Sequence, residues 1–139
     1  MEGALSVTFV AGPPPADAFV DLFESTGWNA EYRLTRAQIA AVLPRSWCVL
    51  SAWDGARLVG VGRVGADLPR HAMIYDMIVP ADRRGEGIGG RILDLLVARC
   101  REAGVRDIQL LCARGRRRFY ERHGFVARHD DGPGMEWRG

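Results

Sequence analysis

Three glycines, Gly85, Gly87 and Gly90, follow the G-x-G-x-x-G spacing between an apolar segment and a stretch of helical periodicity. The backbone N–H groups of such a loop point out of a helix N-terminus, where the helix dipole favours anions. Arginines lie beside this loop: Arg83, Arg84 and Arg91. The pattern predicts a backbone cradle for a pyrophosphate, although a glycine-rich turn with ordinary surface arginines is the simpler alternative.

The same glycine spacing occurs in dinucleotide-binding Rossmann domains, but the surroundings of the loop differ from that fingerprint. There the first glycine directly follows a strand, whereas here residues 80–84 intervene. The ribose-binding carboxylate is expected at the end of the next strand, yet Asp107 stands at the beginning of its strand. A chain of 139 residues is also short for a dinucleotide domain plus a substrate domain. An NAD site is therefore disfavoured.

Hydrophobic periodicity predicts the elements that position the loop. In the first half we expect a strand at 5–10, a helix carrying Phe19, Leu22 and Phe23, a helix capped by Thr35 and Gln38 and ended by Pro44, and a β-hairpin over 46–64. In the second half we expect a strand at 71–79, a long helix ending at Gly104, a buried strand at 107–112, a helix at 114–122, and a terminal hairpin pairing 124–128 with 135–137.

A strand, a glycine loop, a helix and a second strand between residues 71 and 112 form a crossover that joins parallel neighbours. The remaining strands are expected to be antiparallel. The predicted fold is therefore a single α/β domain over residues 1–139, of the α+β type, with one mixed, mostly antiparallel twisted sheet and helices on both of its faces.

Two stretches resemble a known family. Residues 77–80 read Met-Ile-Val-Pro and residues 83–89 read Arg-Arg-Gly-Glu-Gly-Ile-Gly, while residues 119–125 read Phe-Tyr-Glu-Arg-His-Gly-Phe. These stretches are similar to the two motifs by which GNAT superfamily N-acetyltransferases are known. The resemblance covers residues 47–137, whereas the residues before them match only in the order strand, helix, helix.

In GNAT proteins acetyl-CoA lies where two central parallel strands splay apart. The resemblance implies a cofactor site with two parts. The strand backbone of Met77, Ile78 and Val79 would bind the pantetheine arm. The loop that would bind the pyrophosphate consists of Arg84, Gly85, Glu86, Gly87, Ile88, Gly89 and Gly90. One departure concerns Ala113, which stands where many members carry a pantetheine-binding asparagine. That contact is either absent or replaced here.

The resemblance places Tyr120 where a tyrosine often protonates the departing thiolate, although a tyrosine near Phe119 and Phe125 could simply be packed. The candidate base is Asp76, because a carboxylate in an apolar strand is costly unless it is paired or working. Pairing with Arg63 is the structural alternative. Weaker candidates for the base are His71 and Glu31, and Trp28 is expected to wall the acceptor site.

Composition narrows the function classes. All 19 basic residues are arginine, so neither a Lys-containing P-loop nor Schiff-base chemistry is possible, and the net charge of +2 does not favour nucleic acid. Three scattered cysteines, Cys48, Cys100 and Cys112, indicate buried hydrophobes without a disulfide or metal site. No apolar run of membrane-spanning length and no export signal is evident, so we expect a cytoplasmic protein without a membrane partner.

The sequence thus predicts transfer of an acetyl group from acetyl-CoA to a primary amine, carried by a small molecule or a peptide, by direct attack and without a metal. The alternatives are a non-catalytic acyl-CoA-binding or sensor module and a dinucleotide-binding fragment. The apolar C-terminal segment at 134–137 is a weak indication of a homodimer.

Overall fold

The computed structural model describes residues 6–139 and contains one five-stranded sheet in the order β1-β2-β3-β4-β5. Its strands are β1 Val7–Ala11, β2 Cys48–Asp54, β3 Arg57–Asp67, β4 His71–Ile78 and β5 Asp107–Leu110. Its helices are α1 Ala16–Glu24, α2 Asn29–Tyr32, α3 Arg36–Ala40, α4 Val42–Arg45, α5 Ile88–Glu102 and α6 Arg117–Arg122. All neighbouring strands are antiparallel except β4 and β5, which are parallel. The predicted mixed sheet is confirmed. Residue 5, at which the first predicted strand begins, lies outside the described residues.

Helices cover both faces of the sheet. The long helix α5 packs on one face through its buried residues Ile92 and Leu96, and α1 and α3 pack on the other through Phe19 and Ile39. Helix α5 lies directly on the backbone of β3, because a Cβ at Gly62 would come within 2.7–2.9 Å of side chains from β4 and α5. The long helix thereby holds its N-terminus at the end of β4.

Local sequence signals predict several element ends correctly. The Gln38 N–H donates to Thr35 Oγ1 at 3.1 Å and the Thr35 N–H donates to Gln38 Oε1 at 2.9 Å, which completes the expected capping box. The left-handed Gly104, with φ +86°, follows α5 as expected. Pro44 does not end this helix, however, because the helix breaks earlier and Pro44 lies within α4.

The C-terminal part differs from the prediction. Strand β5 ends at Leu110 and is only half buried, since it forms one edge of the sheet, and Cys112 beyond it is exposed, not buried. The expected hairpin of 124–128 with 135–137 is wrong, because residues 123–139 contain no strand. Pro133 has no N–H to give to a ladder, and Arg128 Nε donates to the Gly132 carbonyl at 2.7 Å, which closes the segment into a loop.

Candidate active site

A gap separates the two parallel strands. The four residues of β5 pair with the first four residues of β4, His71–Ile74, and β4 then continues to Ile78 with no partner on that side among the described residues. Backbone groups along the second half of β4 are therefore available toward the gap. The predicted pantetheine-binding residues Met77, Ile78 and Val79 lie in this stretch or directly after it. The parallel pair is present, and its pairing stops partway along β4, which agrees with the splayed pair that the family resemblance implies.

Strand β4 carries a bulge at the edge of the gap. Val61 of β3 lies opposite Ile78, but Arg63 lies opposite Tyr75, so β4 contains one residue more than β3 between these pairs. Asp76 takes up this excess with a left-handed φ of +53°. Aspartate tolerates that conformation better than most side chains, which gives the position a structural reason for a short polar residue.

The Asp76 side chain forms an ion pair. Arg63 Nε donates to Asp76 Oδ2 at 2.7 Å, and the two side chains are only 15% and 17% exposed. Arg63 also donates to Ser46 Oγ at 3.3 Å and lies 4.8 Å over the ring of Tyr75. The structural alternative considered for Asp76 is therefore present in the fold. A role of Asp76 as base must operate from within this pair.

The glycine loop follows β4 through a 3-10 turn at Ala81–Arg83. Gly85 and Gly87 have φ values of +84° and +83°, which other residues adopt only with strain, and Gly87 is the N-cap of α5. The first helical hydrogen bond runs from the Arg91 N–H to the Gly87 carbonyl at 3.0 Å. The N–H groups of residues 87–90 thus lack an intrahelical acceptor and can bind an anion at the end of the gap.

Two of the three arginines beside the loop form hydrogen bonds with other groups of the protein. Arg84 Nε donates to the Val79 carbonyl at 3.3 Å, which ties the loop to the end of β4. Arg83 is bound by the carboxylates of Asp54 and Glu86, so its side chain does not serve the cradle as the free charge that its position suggested. The Glu86 carboxylate is directed to Arg83, which leaves only its backbone for the predicted cofactor role. Arg91 remains exposed on the first turn of α5.

Tyr120 lies on α6, which follows the other strand of the gap. Its ring is half buried and contacts Phe119 and Phe125 edge-on, with centroid distances of 5.0 and 6.0 Å. Burial raises the pKa of the phenol, the Cys112 thiol adds to this, and Arg116 opposes it. The hydroxyl has no hydrogen bond within residues 6–139. The phenol is thus protonated at neutral pH and has a proton to donate.

A side-chain contact that the sequence did not predict joins α5 to the residue that follows α6. His123 Nδ1 lies 2.9 Å from Asp94 Oδ1, and the imidazole packs on Phe119 with a centroid distance of 5.0 Å. A Cβ at Gly90 would lie 2.8 Å from His123 Cε1, so this glycine provides space for the ring. The paired occurrence of Gly90 early in α5 and a histidine after Phe119-Tyr120 is the signal that could have indicated this contact.

The other candidates lie elsewhere. Trp28 is the N-cap of α2 and not part of an exposed loop, and its half-buried ring packs edge-on against Phe23 at 5.9 Å. Glu31 is exposed on α2. His71 begins β4, at the end opposite to the glycine loop, and its Nδ1 lies 3.3 Å from Asp107 Oδ2. His71 is therefore far along β4 from the half that borders the gap, and Glu31 belongs to neither strand of the gap.

Within residues 6–139 no group of three or more His, Cys, Asp or Glu side chains is arranged to hold a metal ion. None of the helices in this range has the length and apolar character needed to cross a bilayer.

Comparison with known proteins gives the same assignment at each level. The N-acetyltransferase ycf52 of Porphyra purpurea, itself uncharacterised, is 30% identical over 120 residues, which cover 84% of this chain and 67% of that protein. A GNAT family acetyltransferase of Streptococcus pneumoniae superposes with a TM-score of 0.80 at 23% identity, covering 96% of this chain and 98% of that one.

A predicted acetyltransferase of Clostridium acetobutylicum, solved with acetyl-CoA, superposes with a TM-score of 0.70 at 15% identity and covers 94% of this chain and 96% of that one. Residues 16–125, which include the gap, the glycine loop and Tyr120, match the Acetyltransferase (GNAT) family. The chain belongs to the GNAT acetyltransferase family.

Proposed function

We propose that this acyltransferase moves the acetyl group of acetyl-CoA to a primary amine by direct nucleophilic attack. The observation that carries the proposal is the left-handed glycine loop at the N-terminus of α5, placed at the end of the gap between β4 and β5. A backbone anion site continuous with unpaired strand backbone fits a ligand that has a pyrophosphate and an amide-containing arm.

The residues of the gap fit acetyl-CoA in chemistry and in space. A Cβ at Gly85 or at Gly87 would have no neighbour within 4 Å, so both positions face open space. The peptide groups of Met77, Ile78 and Val79 can pair with the pantetheine amides, and residues 84–90 with the pyrophosphate. The acetyl-CoA held by the Clostridium acetobutylicum neighbour supports this choice of cosubstrate.

Acyl transfer from a thioester needs a neutral amine and a proton for the thiolate that leaves. In the proposed reaction the amine attacks the thioester carbonyl carbon, the carbon–sulfur bond breaks, and Tyr120 donates its proton to the sulfur. The proton that the nitrogen releases as the amide forms then restores the Tyr120 phenol. The raised pKa of Tyr120 keeps that proton in place until the thiolate forms. Asp76 accepts the proton of the incoming ammonium group, directly or through water.

A covalent acyl-enzyme is not part of the proposal. Burial raises the pKa of both the Cys48 and the Cys100 thiols, which keeps them protonated and poorly nucleophilic. Cys112 is exposed, but its only hydrogen bond within the described residues is a thiol contact to the Ala113 carbonyl. We assign Trp28 to the wall of the amine site, as part of the short helical connection between α1 and α3.

The decisive experiment combines thermal unfolding with a thiol-release assay. Acetyl-CoA and CoA are expected to raise the melting temperature, and acetyl-CoA is expected to release thiol when the acceptor is supplied from a panel of small amines and peptides. CoA binding without turnover on any amine would favour the acyl-CoA sensor. Stabilisation by NAD with no response to millimolar CoA would overturn the proposal.

A further inference from the structure

The side chain of Arg83 lies between the β2–β3 hairpin and the glycine loop. Its Nη1 donates to Asp54 Oδ2 at 2.8 Å, while Nε and Nη2 each donate to one oxygen of Glu86 at 2.9 Å. The side chain is 13% exposed. Each nitrogen of the guanidinium is thus already bound to a carboxylate, so Arg83 is poorly placed to act as a direct ligand of a phosphate.

A second arginine bridge joins the same two segments but has a different environment. Arg57 donates to both carboxylate oxygens of Asp82, at 2.7 and 2.8 Å, with the side chains 51% and 63% exposed. Exposed pairs of this kind contribute little because water and salt screen them. The less exposed Arg83 is therefore the stronger connection between the loop and the hairpin.

The connection made by Arg83 matters for the loop because of the side chain of Glu86. Its carboxylate belongs to the residue between Gly85 and Gly87, immediately before the N-terminus of α5. The dipole and unpaired N–H groups of that terminus attract any nearby anion, including a glutamate side chain of the same loop. The hydrogen bonds from Arg83 hold the pKa of Glu86 below its ordinary value. A glutamate released from Arg83 would still be charged at neutral pH, because the ordinary pKa of this side chain is about 4.3, and it could compete for those N–H groups.

We propose that Arg83 is a positioning residue that holds the Glu86 carboxylate away from the N-terminus of α5. The N–H groups of residues 87–90 then remain free for the pyrophosphate of CoA. This inference rests on the proposed function, since it concerns the affinity of the same cradle. It assigns a task to the arginine that precedes the loop, distinct from that of Arg84, which binds the Val79 carbonyl.

A double-mutant cycle tests the inference by calorimetric titration with CoA. Arg83→Gln is expected to weaken CoA binding about tenfold, the size of a displaced charge interaction at a helix N-terminus. Glu86→Gln keeps the backbone N–H groups of the loop and removes only the carboxylate, so it is the reference of the cycle. The double variant is expected to have the same dissociation constant as Glu86→Gln, because no carboxylate is left to compete. The matched control is Arg57→Gln, which breaks a bridge of the same loop without releasing Glu86, and which is expected to stay within about twofold.

Acetyl-pantetheine separates this role from a general loss of structure, because it has the thioester but no pyrophosphate. The kcat/KM for acetyl-pantetheine is expected to be equal in wild type and Arg83→Gln, while KM for acetyl-CoA rises and kcat does not fall. Should Arg83→Gln not fold, Arg83→Met, which keeps the aliphatic part of the side chain and cannot bind a carboxylate, replaces it with the same expectations.

Each outcome has one meaning. A double variant as weak as Arg83→Gln would show that Arg83 itself binds the ligand, and equal losses with acetyl-pantetheine would show a structural role only, so either result overturns the inference. Unchanged CoA affinity in Arg83→Gln overturns it as well while leaving the proposed function intact. Failure of the wild-type protein to bind CoA would instead remove the proposed function.

Discussion

The pair of Arg63 and Asp76 can be broken from either side, which separates its structural role from the proposed chemistry. Arg63→Gln removes the charge of the guanidinium and keeps the carboxylate, whereas Asp76→Asn removes the carboxylate and keeps a residue that tolerates the φ of +53°. The side chains are 15% and 17% exposed, so the loss lies below that of a fully buried pair, at about 2 kcal/mol. For a chain of this length, that corresponds to a melting temperature lower by roughly 6–10 °C.

Both variants are therefore expected to melt earlier by similar amounts in a thermal scan. At a temperature where both are folded, Asp76→Asn is expected to reduce kcat/KM about 100-fold, whereas Arg63→Gln should lose less than about tenfold. CoA binding, measured separately, is expected to persist in both. An Asp76→Asn protein that is destabilised but retains the wild-type kcat/KM would refute the assignment of Asp76 as base.

Three further predictions concern Tyr120 and the glycine loop. Tyr120→Phe is expected to lower kcat about 100-fold without changing the CoA dissociation constant; because burial raises the pKa of the phenol, the alkaline fall in kcat should lie above pH about 10 and vanish in the variant. Gly87→Ala places a Cβ in open space but forces alanine to φ +83°, so we expect a loss of about 1 kcal/mol in unfolding experiments and weaker CoA binding by titration. Gly90→Ala keeps helical backbone but places a Cβ 2.8 Å from His123, so kcat should fall more than CoA affinity; an equal fall in both would contradict the role given to this glycine.

Features that depend on neighbouring residues could be predicted from the sequence. The Thr35 capping box, the hairpin of β2 and β3 and the helix α5 between its glycines are fixed by hydrophobic period and by residues that begin or end helices. The gap between β4 and β5 followed from the family resemblance and not from the periodicity. The position of the glycine loop then followed from chain order.

Features that depend on pairs distant in the sequence were harder to predict. The contact of Arg63 with Asp76 was one of two open alternatives, and the contacts of Arg83 were not foreseen, since 19 arginines offer many partners to each carboxylate. The prediction of the C-terminal hairpin was wrong for a different reason, because a local pattern indicated strands that no distant packing supports. Alternating apolar residues such as Val126 and Met135 indicate strands, but these side chains are 85% and 91% exposed and gain no packing that would hold them in a sheet.

Gly90 shows why the G-x-G-x-x-G spacing could be interpreted in two ways. Gly87 is required by its left-handed backbone, whereas Gly90 is a helical residue whose missing side chain provides space for His123. In Rossmann domains the third glycine also permits close packing, there of a helix on a strand. The spacing therefore indicates a tightly packed helix and does not identify a particular ligand. Here the packing joins α5 to the end of α6, and the contact of Asp94 Oδ1 with His123 Nδ1 lies in the same place. The helix whose N-terminus forms the proposed anion cradle therefore packs on the end of the helix that carries Tyr120, the proposed proton donor.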